Sequence, residues 1–360
     1  MTENPPARQA PPPPPPKAPR GWFARFLAVV EWLGNLLPHP VSLFALFAAG
    51  VVVVSAIAAA FGLSVADPRP GAAESSELVA RSLLTGDGVR WMFQNLVTNF
   101  TDFVPLGTVL VALLGVGVAE KSGLLTAIIR GLVLAAPRNL VTLVVVFSGI
   151  VSNTASEMGY VVLIPLAMTV FHALGRHPLA GMAAAFAGVS GGYSANLLIG
   201  TVDPLLAGIT QEAARLIDPS YEVHPAVNWY FMFVSTFLIT GIGWFVTAKI
   251  VEPRLGAYDP SEAADDVERN PRLDRLESKE KRGIIWAVVS GFVVSLFFVV
   301  LAGPRFSWLA WADFIPGWGV LRDPNPDLTG PDSFRPMLRS VVALIFVFFV
   351  VPGFVYGRVV

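Results

Sequence analysis

Long apolar runs alternate with short polar interruptions along this chain. Residues 41–63 are apolar without a break, and further apolar stretches cover residues 105–136, 140–174, 178–209, 226–250, 284–302 and 341–356. About 20 apolar residues suffice for a helix to cross a ~30 Å hydrocarbon core. Lipid offers no hydrogen bonds, so such runs must satisfy their own backbone groups, which helices do and open sheets do not. The pattern predicts an all-α polytopic membrane protein with its transmembrane domain over residues 38–360. Ahead of it, "GWFARFLAVVEWLGNLL" (residues 21–37) sets Trp22, Phe23, Phe26, Leu27, Val30, Leu33 and Leu37 near one helical face, as an interfacial amphipathic helix does. Residues 1–20, with "PPPPPP" at 11–16, read as a disordered proline-rich tail, with no cleavable signal peptide. A ligand for a proline-binding module is the alternative reading of that tail.

Two stretches interrupt the apolar pattern. In "SGIVSNTASEMGYVVLIPL" (residues 148–166), Ser152, Asn153, Thr154, Ser156 and Glu157 separate two apolar arms, residues 140–151 and 158–171. At 1.5 Å per residue each arm reaches only about 20 Å, short of a full crossing. Short arms meeting at a polar break predict a re-entrant helical hairpin over about residues 138–175. Irregular backbone at that depth persists only where protein or a wet cavity covers it. Thr154 and Glu157 fit a T-x-x-E capping box that opens the second arm and aims free N–H groups at the break. The second break lies in "FAGVSGGYSANLLIGTVDPLLAGI" (residues 186–209). There Gly191, Gly192, Ser194 and Asn196 favour an unwound stretch whose carbonyls face an ion, with Asp203 two turns on. Residues 178–209 thus read as a discontinuous helix. The plainer readings are a close helix contact at Gly191–Gly192, a surface loop at residues 152–156, and a cap role alone for Glu157. Against them stands the cost of an ionisable group inside a bilayer, which makes each acid a functional candidate. Arg130 either snorkels or pairs with Glu120.

Charge adds orientation. Only 14% of residues are charged, against roughly 25% in soluble domains. The connector over residues 251–283 carries Arg254, Arg269, Arg272, Arg275, Lys279, Lys281 and Arg282, while residues 64–102 and 303–339 are poorer in Lys and Arg for their length. The positive-inside bias places that connector and the N-terminus in the cytoplasm, with Trp308, Trp311 and Trp318 in an external loop. Residues 105–174 must then cross an odd number of times: one bent crossing plus a hairpin, or two short crossings and a broken one. Cys is absent, so thiol chemistry and disulfides are excluded. The four histidines, His39, His172, His177 and His224, lack metal-ligand spacing. No nucleophile–base spacing suggests an enzyme, and no basic surface suggests nucleic acid.

Residues 152–214, from "SNTASEMGYVV" through "GVSGGYSANLLIGTVDPLLAGITQEAA", resemble the AbgT family of bacterial inner-membrane transporters for p-aminobenzoyl-glutamate and sulfonamide-type antimetabolites. The span pattern from Trp22 to Tyr356 agrees. The resemblance implies a homodimer of bowl-shaped subunits and favours the single-crossing solution. It makes residues 138–175 the first hairpin in the first repeat of an inverted-repeat transporter. It sets Glu157 at a position where the family more often has Asp. It also implies further spans beyond Val360, including a second hairpin. The expected function is secondary transport coupled to Na⁺ or H⁺, with no other cofactor. Ser152, Asn153, Thr154, Ser156 and Glu157 would hold a substrate carboxylate. Gly191, Gly192, Ser194, Asn196 and Asp203 would line the ion path. A sodium-coupled dicarboxylate carrier and a non-transporting membrane protein are the rival expectations.

Overall fold

The structure is a computed structural model, and it describes residues 22–67, 76–103, 105–155, 159–259, 276–303, 314–325, 327–328 and 333–360. The proline-rich tail, Ser156, Glu157, the basic residues Arg269, Arg272 and Arg275, and Trp308 and Trp311 lie outside the described residues. The described residues are overwhelmingly helical, as the apolar pattern predicts, and form two compact units.

The first unit holds α1 (Trp22–Leu36), α2 (Pro40–Ala60), a hairpin of β1 (Ser64–Ala66) and β2 (Glu77–Val79), and most of α3 (Gly86–Thr101). Helix α2 begins where the His39 imidazole accepts the Val41 amide and Pro40 supplies a φ already set for a helix. Its apolar side chains are exposed all round: Phe44, Val51, Val54 and Ile57 are each more than half exposed. Such a surface is stable in hydrocarbon and not in water. The connector after α2 is more ordered than its polar sequence suggests, since β1 and β2 pair antiparallel with Val65 opposite Leu78. The Leu83 amide then donates to Ser55 Oγ at 3.0 Å, tying the hairpin's exit to α2.

The second unit contains α4 (Pro105–Lys121), α5 (Leu124–Leu134) and α6 (Val141–Ser152), then a 3₁₀ turn (Asn153–Ala155). A π turn (Gly159–Leu163) leads into α7 (Ile164–Ala173), followed by α8 (Pro178–Gly191) and α9 (Val202–Arg215). Helix α10 (Trp229–Val246) runs through a second π turn into α11 (Glu252–Leu255), and α12 (Ser278–Ala302), α13 (Arg335–Arg339) and α14 (Val341–Val359) complete the unit. Among the described residues of the chain, four helical segments are long and apolar enough to cross a membrane: Val41–Ala60, Trp229–Leu255, Ser278–Ala302 and Val341–Val359. The apolar stretch at residues 105–136 is not continuous; Gly123, at φ +83°, breaks it into α4 and α5. The basic connector is also shorter than residues 251–283. Lys279, Lys281 and Arg282 belong to α12, whose first turn Glu277 and Glu280 close as a capping box.

Helices in lipid gain nothing from hiding apolar surface from water, so small residues that let backbones touch decide which helices pair. Helices α4 and α14 meet this way: a Cβ on Gly115 would fall 2.7 Å from Phe346 Cα, and one on Gly353 would fall 2.7 Å from Ala119 Cα. Helix α8 is richer still in small residues, and α6 and α7 both press against it. A Cβ on Gly149 would lie 2.8 Å from the Val189 nitrogen, one on Gly188 2.5 Å from the Val146 carbonyl oxygen, and one on Gly181 2.6 Å from that of Ala167. Around these crossings Val145, Val146, Ile150, Leu163, Phe171 and Val189 are fully buried or nearly so.

Two ion pairs fix helix ends. Arg130 on α5 donates to Glu280 of α12 at 3.1 Å, an acid 150 positions away that the local sequence could not nominate. Arg176, in the turn between α7 and α8, forks onto both oxygens of Glu252 at 2.7 and 2.5 Å. It also donates to Thr142 Oγ1 at 2.8 Å, and its guanidinium stacks 4.2 Å from the Phe171 ring centre. Planar, bidentate contact with a carboxylate is what a guanidinium does and an ammonium cannot. The open end of the α6–α7 pair is thereby tied to α8 and α11.

Candidate functional site

Both breaks foreseen in the sequence are present, and they touch. Helix α6 ends at Ser152, and the chain tightens into its 3₁₀ turn; helix α8 ends at Gly191, and residues 192–201 are irregular until α9 starts. The link between them is direct: Thr154 donates its hydroxyl proton to Asn196 Oδ1 at 2.6 Å, both residues being buried. Asn196 Oδ1 also accepts the Leu197 amide at 3.0 Å. Asn153 Nδ2 donates to the Val189 carbonyl at 3.0 Å, one of the last carbonyls of α8, which would otherwise lack helical partners. Gly200 lies against the same turn, since a Cβ there would be 3.5 Å from the Asn153 carbonyl oxygen. The irregular stretch is held from its far side by the Trp229 indole, whose N–H donates to the Leu197 carbonyl at 3.0 Å.

A pocket of about 240 Å³ opens at this junction. Asn153, Ser194, Asn196 and Asp203 from the sequence expectation all line it. Tyr193, Gly200 and Asn228 line it too and were not anticipated. Tyr193 stands beside the paired glycines and Asn228 directly before α10, so each had only adjacency to a break or a helix start to flag it. Asp203 sits in the first turn of α9 and accepts the Gly200 amide through Oδ2 at 2.6 Å.

The remaining candidates divide. Ser152 is buried and spends its proton on the Gly149 carbonyl at 2.6 Å. Its oxygen would be 2.2 Å from a Cβ at Gly159, so this glycine is what lets the two arms close. Gly191 is the last residue of α8 and is exposed, with open space where a Cβ would be; Gly192 packs on Ile150, 2.5 Å from a Cβ to Ile150 Cγ1. The close-contact reading therefore fits Gly192 and not Gly191. Ser156 and Glu157, and with them the T-x-x-E cap, lie outside the described residues. Near the second arm, the Tyr160 hydroxyl and Ser190 Oγ share a hydrogen bond at 2.9 Å, which joins the π turn to α8.

The chemistry of the lining is one-sided. Its described residues offer amides, a hydroxyl, a phenol and one carboxylate, and no Lys, Arg or His is among them. Hard oxygen donors of this kind suit a proton or a small hard cation, or the amide of an uncharged group. Among the described residues no three His, Asp or Glu side chains converge as a multi-carboxylate or imidazole metal site would require.

Residues 25–360 match the family model described as the AbgT putative transporter family. The chain belongs to the AbgT family. The names of this family and of the relatives below are those of transporters, not of enzymes. The p-aminobenzoyl-glutamate transport protein of Escherichia coli (strain K12) is 36% identical over 328 residues, which is 91% of this chain and 59% of that one. Among solved structures, MtrF of Neisseria gonorrhoeae, described as illuminating a class of antimetabolite efflux pumps, is 52% identical. It superposes with a TM-score of 0.72 over 93% of this chain and 64% of its own. The YdaH transporter of Alcanivorax borkumensis, described as having an unusual topology, is 36% identical with a TM-score of 0.68, over 89% of this chain and 62% of its own. The chain thus spans about 59% to 64% of the length of these AbgT relatives.

Proposed function

We propose that this chain carries the first hairpin and broken helix of a secondary transporter for p-aminobenzoyl-glutamate and related aromatic antimetabolites such as sulfonamides. The observation that carries the reading is the meeting of two polar breaks, bonded through Thr154 and Asn196, around a pocket lined by Asp203. A site built where discontinuous helices meet is the recurring solution of secondary transporters. The relatives named for p-aminobenzoyl-glutamate transport and for antimetabolite efflux supply the substrate class.

In this reading Asp203 binds the coupling ion, Na⁺ or H⁺, with Asn153, Asn196 and Ser194 as neutral oxygen donors. The aromatic amide lies against Tyr193 and Phe231, since the described lining residues offer a ring surface and amide partners and no positive charge. The protein sits in a bacterial inner membrane as a homodimer, its N-terminus and basic connector on the cytoplasmic side.

The test is flux of labelled p-aminobenzoyl-glutamate in proteoliposomes under imposed Na⁺ or pH gradients, with Asp203→Asn and Asn196→Ala beside the unsubstituted chain. Gradient-driven flux that D203N uncouples and N196A slows at least tenfold is the expected result. Flux with unchanged ion dependence in both variants rejects the site, and no flux under any gradient rejects the transport reading for this chain.

A further inference from the structure

A second pocket, of about 280 Å³, lies on the other side of α9. Asp203 and Leu206 of α9 face the inner pocket, whereas Pro204, Ala207, Gln211 and Arg215 face this outer one. Its opposite wall comes from the loop at residues 222–225 and from Leu338, Arg339, Val341 and Val342. The loop at 222–225 joins α9 to α10, and Leu338 and Arg339 end α13 just before Val341 and Val342 open α14, whereas the basic connector joins the end of α11 to the start of α12. The floor is aliphatic and the rim is charged.

Two guanidinium groups belong to that rim, and neither is locked in place. Arg215 is loosely engaged, 3.6 Å from Glu212 and 3.4 Å from the Tyr221 carbonyl. Arg339 pairs with Glu222, and both side chains of that pair are solvent-accessible. An exposed ion pair contributes little stability, so opening it costs little. Guanidinium forks are matched to carboxylates, and an aliphatic floor beneath them suits the apolar body of the same ligand. Among the described residues the inner pocket has no basic lining side chain, so it offers no guanidinium or ammonium partner to the carboxylates of a glutamate-bearing substrate.

We propose that this outer pocket is a docking subsite for the carboxylate end of an acylated amino acid. Arg215 and Arg339 are the anion-binding groups, and Glu222 is an internal carboxylate that the ligand displaces. The inference rests on the substrate reading above. The subsite is a first stop, separate from the inner pocket, because the amide nitrogen and the α-carboxylate of a glutamate conjugate share one carbon and cannot straddle a helix about 10 Å wide.

The experiment is equilibrium binding of labelled p-aminobenzoyl-glutamate, and of its uncharged analogue p-aminobenzamide, to the full chain in detergent. R215Q and R339Q are expected to weaken binding of the glutamate compound about tenfold each, the usual effect of losing one charged hydrogen bond. E222Q is expected to tighten it several-fold, and R339K to restore part of the loss. The uncharged probe binds all variants alike, and a thermal melt of each variant within a few degrees of the parent shows that it is folded. Affinities within twofold across the set, or equal shifts for both probes, overturn the subsite while leaving the substrate reading intact. Absence of saturable binding to the unsubstituted chain overturns both.

Discussion

The hydroxyl of Thr154 reaches across 42 positions of sequence to Asn196, and this 2.6 Å bond joins the hairpin tip to the unwound segment after α8. Neither residue could serve as a tether alone. Thr154 sits in the 3₁₀ turn that closes α6, and Asn196 is fixed by accepting its neighbour's amide. Thr154→Val keeps the side-chain shape and removes the donor, so the expected loss is about 1 kcal/mol of stability. The sharper expectation is local. Amide hydrogens at residues 193–200 should exchange faster by an order of magnitude or so, with exchange in α4 and α14 unchanged. Unchanged exchange at 193–200 would mean that the bond does not hold the segment.

The crossing of α6 and α8 depends on Gly149 and Gly188, because a methyl group on either would meet backbone atoms, which cannot rotate aside. Gly149→Ala and Gly188→Ala should each cost about 1–3 kcal/mol, the range for overpacking a tight contact. Gly191→Ala, with open space around it, should be neutral or slightly stabilising in the last turn of a helix. Melting temperatures of the three variants in one detergent check the order. A Gly191→Ala variant as unstable as Gly188→Ala would refute the packing.

The ion pair of Arg130 and Glu280 is only 25% and 18% exposed on its two side chains, so it is screened less than a surface pair. Glu280→Gln retains an acceptor for the Glu277 amide and so spares the cap of α12. What it removes is the charge opposite Arg130. A loss of about 1–2 kcal/mol is expected, between the ranges for exposed and buried pairs. A double-mutant cycle with Arg130→Met should return a coupling energy of that size, and a coupling near zero would show the pair to be incidental.

The positions of the two breaks were legible because lipid penalises polar groups so heavily that Ser152, Asn153, Thr154 and Asn196 in apolar surroundings mark a departure from plain helix. Four residues of the inner pocket, Asn153, Ser194, Asn196 and Asp203, followed from that rule alone. The pairing of Thr154 with Asn196 did not, since it depends on how closely α6 approaches α8. That approach is set by glycines whose role looks the same in sequence at Gly188 as at Gly191. Tyr193 and Asn228 escaped notice for a related reason: at the margin of an apolar run, an aromatic or an amide reads as an ordinary interfacial residue. The break at Gly123 was legible only as an alternative: Glu120, Lys121 and Ser122 allow a bend, but parity alone does not choose between one bent crossing and two short ones. Arg130 shows the same limit for charge, its partner being 150 residues distant.

The inner pocket should also respond to Trp229, which is not among its lining residues but bonds to Leu197, the neighbour of Asn196. The indole N–H is the donor that holds the Leu197 carbonyl, and the ring packs against Tyr230 and Phe233 at 5.1 and 5.6 Å between centres. Trp229→Phe keeps an aromatic body and loses the donor. The half-buried carbonyl it leaves can be reached by water, so the stability change should stay near 1 kcal/mol. Residue 197 adjoins Asn196, however, and a shift of a few tenths of an ångström would spoil the alignment of Asn196 with Asp203 around a small cation. If the coupling ion is held there, Trp229→Phe should weaken ion-dependent binding of p-aminobenzoyl-glutamate several-fold and leave the outer Arg215 and Arg339 contacts unaffected. A titration of binding against Na⁺ concentration and against pH checks this. An unchanged ion dependence together with a normal melt would place the coupling ion away from the segment that Trp229 supports.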